Sequence, residues 1–118
     1  MATSGDLVYV AQVQGSVVGF LVLQRQAHPA VLARNPIQLW QLYVLPTFHG
    51  TGVAAQLMNA VLVHARGQEH DVVWLGVSEQ NERGKAFYRK HGFTMIGSHV
   101  VGSGEHSHHD VVMSCQLA

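Results

Sequence analysis

Two runs of β-branched and other hydrophobic residues open the chain, and their pattern predicts a hairpin. The runs "DLVYVAQV" and "SVVGFLVLQ" lie on either side of Gly15, which tolerates the backbone of a tight turn. The segment "IQLWQLYVL", from Ile37 to Leu45, predicts a third strand, and Pro46 ends it. After this proline the hydrophobic residues recur at helical spacing, at Ala54, Leu57, Met58, Val61, Leu62 and Ala65. Gly67 is the expected stop of this helix.

The second half of the chain continues with strand, helix and two more strands. Residues 71–77 ("DVVWLGV") form a nearly continuous hydrophobic run, as expected of a strand buried on both faces. Asn81 is placed to cap a second helix, "ERGKAFYRKH", and Gly92 ends it. The strands "FTMIGSHVVG" and "DVVMSCQL" follow, joined by the polar loop "SGEHSHH". We therefore predict a single α/β (α+β) domain over residues 1–118. Its order is β-β-β-α-β-α-β-β, with a mixed, mostly antiparallel sheet flanked by helices.

Composition excludes several classes of partner. The chain has 118 residues, of which 47% are hydrophobic and 12% charged, a globular composition. Its formal net charge of +0 gives no electrostatic footprint for nucleic acid or an anionic membrane. The start, "MATSGDLVYV", lacks the basic residues and the long apolar run of a signal peptide or membrane span. The single Cys115 suits a reducing compartment, so we expect a cytoplasmic protein with no nucleic-acid or membrane partner.

Nine histidines are many for a chain of this size, and three lie close together in "EHSHHD". A zinc site needs about four convergent ligands, and the one cysteine lies some way off in the sequence. We interpret this histidine cluster as a polar hairpin loop and expect no metal site.

Gly50 and Gly52 stand where the third strand gives way to the first helix. The start of a helix leaves N–H groups without partners, and phosphate binds well there. Glycines keep side chains away from such a site, so one interpretation is a diphosphate cradle on the N–H groups of Gly50 to Ala55; the other is a plain turn. The Lys-Ser or Lys-Thr of a P-loop is missing. The dinucleotide fingerprint is matched, but the acidic residues at its required distance precede the next strand instead of ending it.

Two motifs at their family separation resemble those of the GCN5-related N-acetyltransferase (GNAT) superfamily. The first family motif is Arg or Gln, two residues, Gly, one residue, then Gly or Ala, and here "HGTGVA" runs from His49 to Ala54. The second is Asn, a Phe-Tyr pair and Gly-Phe, and here Asn81, "FY" at 87–88 and "GF" at 92–93 match it. The resemblance covers the chain from about Asp6 to Leu117. It implies the GNAT fold and acetyl-CoA as the acyl donor.

The resemblance implies a role for each matched residue in the direct transfer of acetyl from acetyl-CoA to a primary amine. The backbone of Tyr43 and Val44 is expected to pair with the pantetheine arm, and the Val44 N–H to meet the developing oxyanion. Asn81 is expected to hydrogen-bond the pantetheine region. Tyr88 is expected to protonate the leaving thiolate, the alternative being a core aromatic residue with a satisfied hydroxyl. The diphosphate is expected on His49, Gly50, Thr51, Gly52, Val53 and Ala54.

Two positions depart from the family pattern. His49 stands where Arg or Gln is usual, so the fixed charge of Arg is missing. Gly84 stands where relatives usually have Ala, which weakens the second helix by about 0.5–1 kcal/mol.

A narrower resemblance is to the branch that contains bacterial polyamine (spermidine/spermine) N-acetyltransferases. It is carried by "WLGVSEQNERGKAFYRKHGF" and "GSHVVGSGEHSHHDVVM", with Glu105-His106 where Asp-Asp is usual. Members of this branch often carry Glu at the position of Gln38, and glutamine cannot accept a proton. The general base therefore stays open among Glu79, His28 and a water chain.

Members of the family normally begin with a strand and two helices before the hairpin, a segment of about 50 residues that forms much of the acceptor wall. We therefore expect a domain truncated at its N-terminal, acceptor-side end, whose exposed hydrophobic sheet favours a homodimer. The expected acceptor is a small-molecule amine or a protein amine. The alternative is a non-catalytic acyl-CoA-binding domain that has kept the fold.

Overall fold

The computed structural model describes residues 6–101 and 108–117. Strands and helices follow one another in the predicted order: β1 Leu7–Val13, β2 Ser16–Gln24, β3 Pro36–Val44, α1 Val53–Gly67, β4 Val72–Ser78, α2 Glu82–Lys90, β5 Thr94–Val101 and β6 His108–Gln116. A short 3₁₀ turn, Pro46–Phe48, lies between β3 and α1. The Glu105-His106 pair and most of the histidine-rich loop lie outside the described residues. No helix in the described part of the chain is long and apolar enough to cross a membrane.

The strands form one sheet in the order β1-β2-β3-β4-β6-β5. Only β3 and β4 pair in parallel, and the other four pairings are antiparallel, which confirms the mixed, mostly antiparallel sheet. The parallel pairing is short, because it joins residues 36–38 to residues 72–74 and then stops. Beyond Gln38 the two strands part, and a gap opens between them.

A one-residue bulge in β3 accounts for this gap. Val22 of β2 pairs with Gln41, whereas the next residue, Leu23, pairs with Leu39, so Trp40 is an extra residue on β3. A bulge bends its strand and increases the local twist. Because this one lies two residues after the last β3 residue paired with β4, it carries the C-terminal half of β3 away from β4.

Helix α1 covers one face of the sheet. Its hydrophobic stripe is buried at Val53, Leu57, Met58, Val61 and Ala65. Each buried Val, Leu or Met side chain contributes about 1.5–3 kcal/mol, so the stripe fixes the start of α1 beside the end of β3. Along β4, Val73 and Leu75 join this core, whereas Val72 and Trp74 belong to a small second cluster. Alternate residues of a strand point to opposite faces, so the second cluster marks the face opposite α1.

Candidate active site

The start of α1 presents backbone N–H groups that the helix itself does not use. Gln56 makes the first helical bond, donating its N–H to the Gly52 carbonyl at 3.0 Å. The N–H groups of Val53, Ala54 and Ala55 therefore precede the helical ladder. Gly52, at the N-cap position, has no side chain to cap them. With the helix dipole behind these groups, this end of α1 attracts an anion.

Two glycines with left-handed backbones keep this corner open. Gly50 has φ 78° and Gly52 has φ 92°, values that residues with a side chain rarely adopt. A Cβ atom built on either glycine would have nothing within 4 Å. The N–H groups of His49 and Thr51 are already bonded to carbonyls of the 3₁₀ turn. A diphosphate therefore fits this corner on the N–H groups of Gly50, Gly52 and the first turn of α1.

Alternation along β3 determines which backbone groups face the gap. The Leu45 N–H donates to the Val18 carbonyl at 2.8 Å, so this position is hydrogen-bonded to β2. Hydrogen-bonded and non-hydrogen-bonded positions alternate in an antiparallel pair. Tyr43 therefore directs its N–H and C=O toward β2, whereas Leu42 and Val44 direct theirs into the gap. The resemblance pointed to the backbones of Tyr43 and Val44; the structure makes Leu42 and Val44 the pair available there.

The His49 side chain turns back onto β3. Its Nε2 atom donates a hydrogen bond to the Val44 carbonyl at 2.9 Å. A carbonyl oxygen can only accept, so Nε2 carries a proton in this arrangement. The bond occupies the Val44 carbonyl and holds the Val44 peptide at the edge of the gap. The imidazole thus stabilises the strand end, while the sequence motif placed His49 against the diphosphate.

Helix α2 closes the other side of the gap, and its N-terminus is fixed by Asn81. The Asn81 Oδ1 atom accepts a hydrogen bond from the Gly84 N–H at 2.9 Å, as an N-cap does. A Cβ atom on residue 84 would lie 2.5 Å from Asn81 Nδ2, so glycine is what permits this close cap. The glycine that weakens the helix also lets its cap form.

Tyr88 projects from α2 within an aromatic cluster. Its ring packs edge-on against Phe87 and Phe93, with centroids 5.5 and 5.8 Å apart. Burial raises the pKa of the Tyr88 hydroxyl above its usual value, so the group keeps its proton at neutral pH. No residue within 6–101 and 108–117 hydrogen-bonds this hydroxyl.

These elements enclose a cleft of about 630 Å³. It brings together seven of the ten residues singled out in the sequence: Val44, His49, Gly50, Gly52, Ala54, Asn81 and Tyr88. The side chain of Tyr43 lines the adjoining gap between β3 and β4, which Asn81 and Tyr88 also border. Thr51 donates its hydroxyl to the Phe48 carbonyl, and the Val53 side chain is buried in the core.

Five residues that the sequence did not suggest also line the cleft: Leu42, Phe48, Arg83, Lys90 and His91. Two of them are cations, and no carboxylate belongs to the described lining, so the cleft suits an anion. Leu42 lies two residues before Val44, so the alternation of a strand could have indicated that both face the gap. Arg83 and Lys90 are charged residues on an exposed helix, and nothing in the sequence marks them as part of a site. Burial and the charge of Lys90 lower the pKa of the nearby His91, which therefore adds little positive charge at neutral pH.

The residues considered as general base lie apart from this cleft. His28 Nδ1 accepts a hydrogen bond from the Ala30 N–H at 3.0 Å, so the proton of the neutral ring is on Nε2. That arrangement leaves Nε2 unable to accept another proton. Glu79 is exposed just after β4. Within the described ranges, no three His, Cys, Asp or Glu side chains are grouped to hold a metal ion.

Comparisons with known proteins agree on one family. The model of the acetyltransferase (GNAT) family matches residues 2–93. An uncharacterised N-acetyltransferase of Mycobacterium bovis is 37% identical over 110 residues, which are 93% of this chain and 67% of that protein. These matches identify the family and leave the polyamine branch undistinguished from the rest of it.

Solved structures show the same fold. Ard1 of Thermoplasma volcanium has a TM-score of 0.80 at 28% identity, over 92% of this chain and 69% of that one. A GNAT family acetyltransferase of Elizabethkingia anophelis, solved with acetyl-CoA bound, has a TM-score of 0.78 at 15% identity, over 97% of this chain and 78% of that one. The chain therefore belongs to the acetyltransferase (GNAT) family and is an N-acetyltransferase, as its two sequence motifs predicted.

Proposed function

We propose that this N-acetyltransferase passes the acetyl group of acetyl-CoA directly to a primary amine. One observation carries the proposal. The parting of β3 and β4 leaves the Val44 N–H, the amides at the start of α1 and the Tyr88 hydroxyl around a single cleft. The amides at the start of α1 suit the diphosphate of an acyl donor, and the Val44 N–H and the Tyr88 hydroxyl suit its thioester.

The donor is proposed to lie along the cleft from α1 to the gap. Its diphosphate would rest on the amides of the Gly50–Ala55 corner, with Arg83 and Lys90 adding positive charge from α2. Its pantetheine would pair with the backbone of Leu42, as an added strand does, because the Val44 carbonyl already accepts from His49 and the Val44 N–H is assigned to the thioester oxygen. Asn81 borders this path, and since its Oδ1 caps α2, its Nδ2 is the atom left to donate.

Two groups of the chain are proposed to assist the transfer, one at the carbonyl oxygen of the thioester and one at its sulfur. Bound acetyl-CoA supplies an acetyl thioester. The amine nitrogen attacks unprotonated, so a C–N bond forms, the C–S bond breaks and the nitrogen gives up one proton. The Val44 N–H is positioned to stabilise the charge that develops on the carbonyl oxygen. Tyr88, which burial keeps protonated, donates its proton to the departing thiolate.

The acceptor is proposed to be a small-molecule or protein amine, with polyamines as the class that the narrower resemblance suggests. A second candidate is a non-catalytic acyl-CoA-binding domain. One observation favours it: Gln38 borders the acceptor side, where its amide cannot take a proton.

Calorimetric titration with acetyl-CoA, followed by a thiol-release assay over a panel of amines, separates these candidates. The proposed function requires saturable binding and amine-dependent release of CoA above the hydrolysis background. Binding without release by any amine selects the non-catalytic domain. Absence of binding overturns both.

A further inference from the structure

Gly19 is a buried glycine inside β2, where a β-branched residue would be favoured. It does not have a positive φ, so a turn-like backbone is not the reason for glycine at this position. Glycine inside a strand often marks the close approach of another backbone. Here that backbone is β3, because a Cβ atom on residue 19 would lie 2.7 Å from the Tyr43 carbonyl oxygen.

A bulge beside Gly19 accounts for this close approach. Ala11 of β1 pairs with Gly19, whereas the next residue, Gln12, pairs with Val17, so Val18 is an extra residue on β2. A bulge increases the local twist of its strand. The twist brings the backbones of β2 and β3 together at Gly19 and leaves no room for a side chain there.

The oxygen that Gly19 accommodates belongs to the same peptide unit as the proposed oxyanion donor. The Tyr43 carbonyl and the Val44 N–H are the two ends of one planar, trans peptide. The two bonds of such a unit point in opposite directions, so the Tyr43 oxygen faces β2 while the Val44 N–H faces the gap. Because the unit is rigid, a tilt of the oxygen tilts the N–H by the same angle.

The residues that follow this peptide are held in place. The Leu45 N–H donates to the Val18 carbonyl at 2.8 Å, and His49 Nε2 donates to the Val44 carbonyl at 2.9 Å. The end of β3 is therefore tied both to β2 and to the loop before α1. A side chain at position 19 would tilt the peptide rather than push the whole strand end away.

We infer that Gly19 is a positioning residue for acetyl transfer, whose missing side chain sets the direction of the Val44 N–H toward the thioester oxygen. Gly19 lines none of the described cavities, so it acts through the Tyr43–Val44 peptide and not by contact with a substrate. Hydrogen bonds weaken steeply as their angle departs from linear, so a tilted N–H would stabilise the oxyanion less. This inference rests on the proposed function, which makes the Val44 N–H the oxyanion donor.

Gly19→Ala tests the inference by adding one methyl group against the Tyr43 oxygen. With an amine that releases CoA, kcat should fall by about tenfold or more, as expected for a misaligned oxyanion donor. The acetyl-CoA Kd should stay within about twofold, because most of the donor's contacts lie elsewhere along the cleft. A merely structural role would lower the melting temperature without separating kcat from the Kd.

Infrared difference spectroscopy gives a readout that needs no acceptor. The probe is acetyl-CoA with an isotope label at its acetyl carbonyl, whose stretching frequency falls when the oxygen accepts a hydrogen bond. Binding to the wild-type protein should lower this frequency relative to free acetyl-CoA. In Gly19→Ala about half or more of this shift should be lost, because the N–H no longer points at the oxygen.

Gly97→Ala is the matched control. Gly97 lies in the edge strand β5, has no positive φ and lines none of the described cavities. A Cβ atom there would also make a tight contact, 3.2 Å from the Ala30 Cβ atom. This variant should lose stability, whereas its kcat and its carbonyl frequency should remain those of the wild type.

A double variant separates the effect on the peptide from an effect on helix packing. A Cβ atom on residue 19 would also lie 3.3 Å from Leu57 Cδ1 of α1, and valine has no Cδ1 atom. Gly19→Ala with Leu57→Val relieves that contact, which keeps the test available if the alanine alone unfolds the protein. It should show the same loss of kcat and of the carbonyl shift. Recovery of both would assign the effect to α1 and overturn the inference.

A wild-type kcat and carbonyl frequency in Gly19→Ala would also overturn the inference, and the proposed function would then stand unchanged. Failure of the proposed function looks different. If no amine releases CoA, the carbonyl frequency still decides whether Gly19 directs the Val44 N–H. If the wild-type protein itself shows no carbonyl shift, the Val44 N–H is not the oxyanion donor and the inference fails with it.

Discussion

The imidazole Nε2 of His49 lies 2.9 Å from the carbonyl oxygen of Val44 and donates a hydrogen bond to it. This bond crosses the corner between β3 and α1. It therefore links the strand end proposed to face the thioester to the loop whose amides are proposed to hold the diphosphate. One side chain couples the two halves of the proposed donor site.

Replacing His49 by alanine removes this link. We expect the acetyl-CoA Kd to rise about 5–10-fold, equivalent to about 1–1.4 kcal/mol, the usual net contribution of one hydrogen bond. His49→Gln keeps an N–H donor and serves as the control. Isothermal titration of both variants measures the effect, and wild-type affinity in His49→Ala would show that the bond has no part in donor binding.

Gly52 can be tested against Gly15, which has nearly the same backbone but lies in the β1–β2 turn. Their φ angles are 92° and 84°, and a Cβ atom on either would have nothing within 4 Å. Alanine at either position should lower the free energy of unfolding by about 1–2 kcal/mol. Only Gly52→Ala should weaken acetyl-CoA binding, by about tenfold or more, because its methyl group enters the corner proposed for the diphosphate.

Urea denaturation and calorimetry of this pair measure strain and binding separately. Equal acetyl-CoA affinity in Gly15→Ala and Gly52→Ala would show that the diphosphate does not bind at the start of α1.

Tyr88→Phe removes the proposed proton donor and little else. We expect kcat to fall by about 10²-fold or more, in the range of general-acid catalysis. The acetyl-CoA Kd should stay within about twofold. The melting temperature should change little, since no described residue hydrogen-bonds the hydroxyl. A kcat close to that of the wild type would assign Tyr88 to the aromatic core alone.

The same residue predicts a response to alkaline pH. Burial raises the folded-state pKa of Tyr88 above its unfolded value of about 10. Between the two pKa values the folded state holds a proton that the unfolded state has lost. The associated stability is fully present below about pH 10 and declines as the pH rises toward the folded pKa. Urea titrations from about pH 8 to 11 should show a steeper loss in the wild type than in Tyr88→Phe; parallel curves contradict this.

Gly84→Ala has two opposing effects on α2: it raises the helix propensity and it disturbs the Asn81 cap. Alanine would ordinarily stabilise α2 by about 0.5–1 kcal/mol. Its Cβ atom would lie 2.5 Å from Asn81 Nδ2 and 2.9 Å from Cγ, so the cap must shift, at a cost of about 1 kcal/mol. We expect no gain in melting temperature and a weaker acetyl-CoA affinity, because Asn81 borders the cleft.

Gly67→Ala is the control for this substitution. A Cβ atom on Gly67, in the last turn of α1, would have nothing within 4 Å. Thermal melts should show a gain for Gly67→Ala with unchanged acetyl-CoA binding. An equal gain for Gly84→Ala would mean that the Asn81 cap adapts without loss.

The elements were predictable because their hydrophobic periods are strong. The stripe from Ala54 to Ala65 predicted α1, and the run at 71–77 predicted β4, which spans Val72–Ser78. Local chemistry also sufficed for the Asn81 cap, which the structure confirms. Each of these features depends on residues close together in the sequence.

Relations across the sheet could not be predicted in the same way. Which backbone groups of β3 face the gap depends on its pairing with β2, and the letters "IQLWQLYVL" do not show that pairing. A cavity on the sheet face opposite α1 gathers Trp40, Gly76 and Asp110 from three strands. Their juxtaposition depends on strand order, which local patterns leave undetermined.

The number of residues in β3 is more tightly constrained than the identity of its side chains. Leu39 and Leu42 both pack toward α1, an odd spacing that only the unpaired Trp40 allows. Deleting one residue there would give a regular ladder that keeps the later side chains on their faces but closes the opening beside β4. Evolution of this domain should therefore accept many substitutions around position 40 and almost no insertions or deletions.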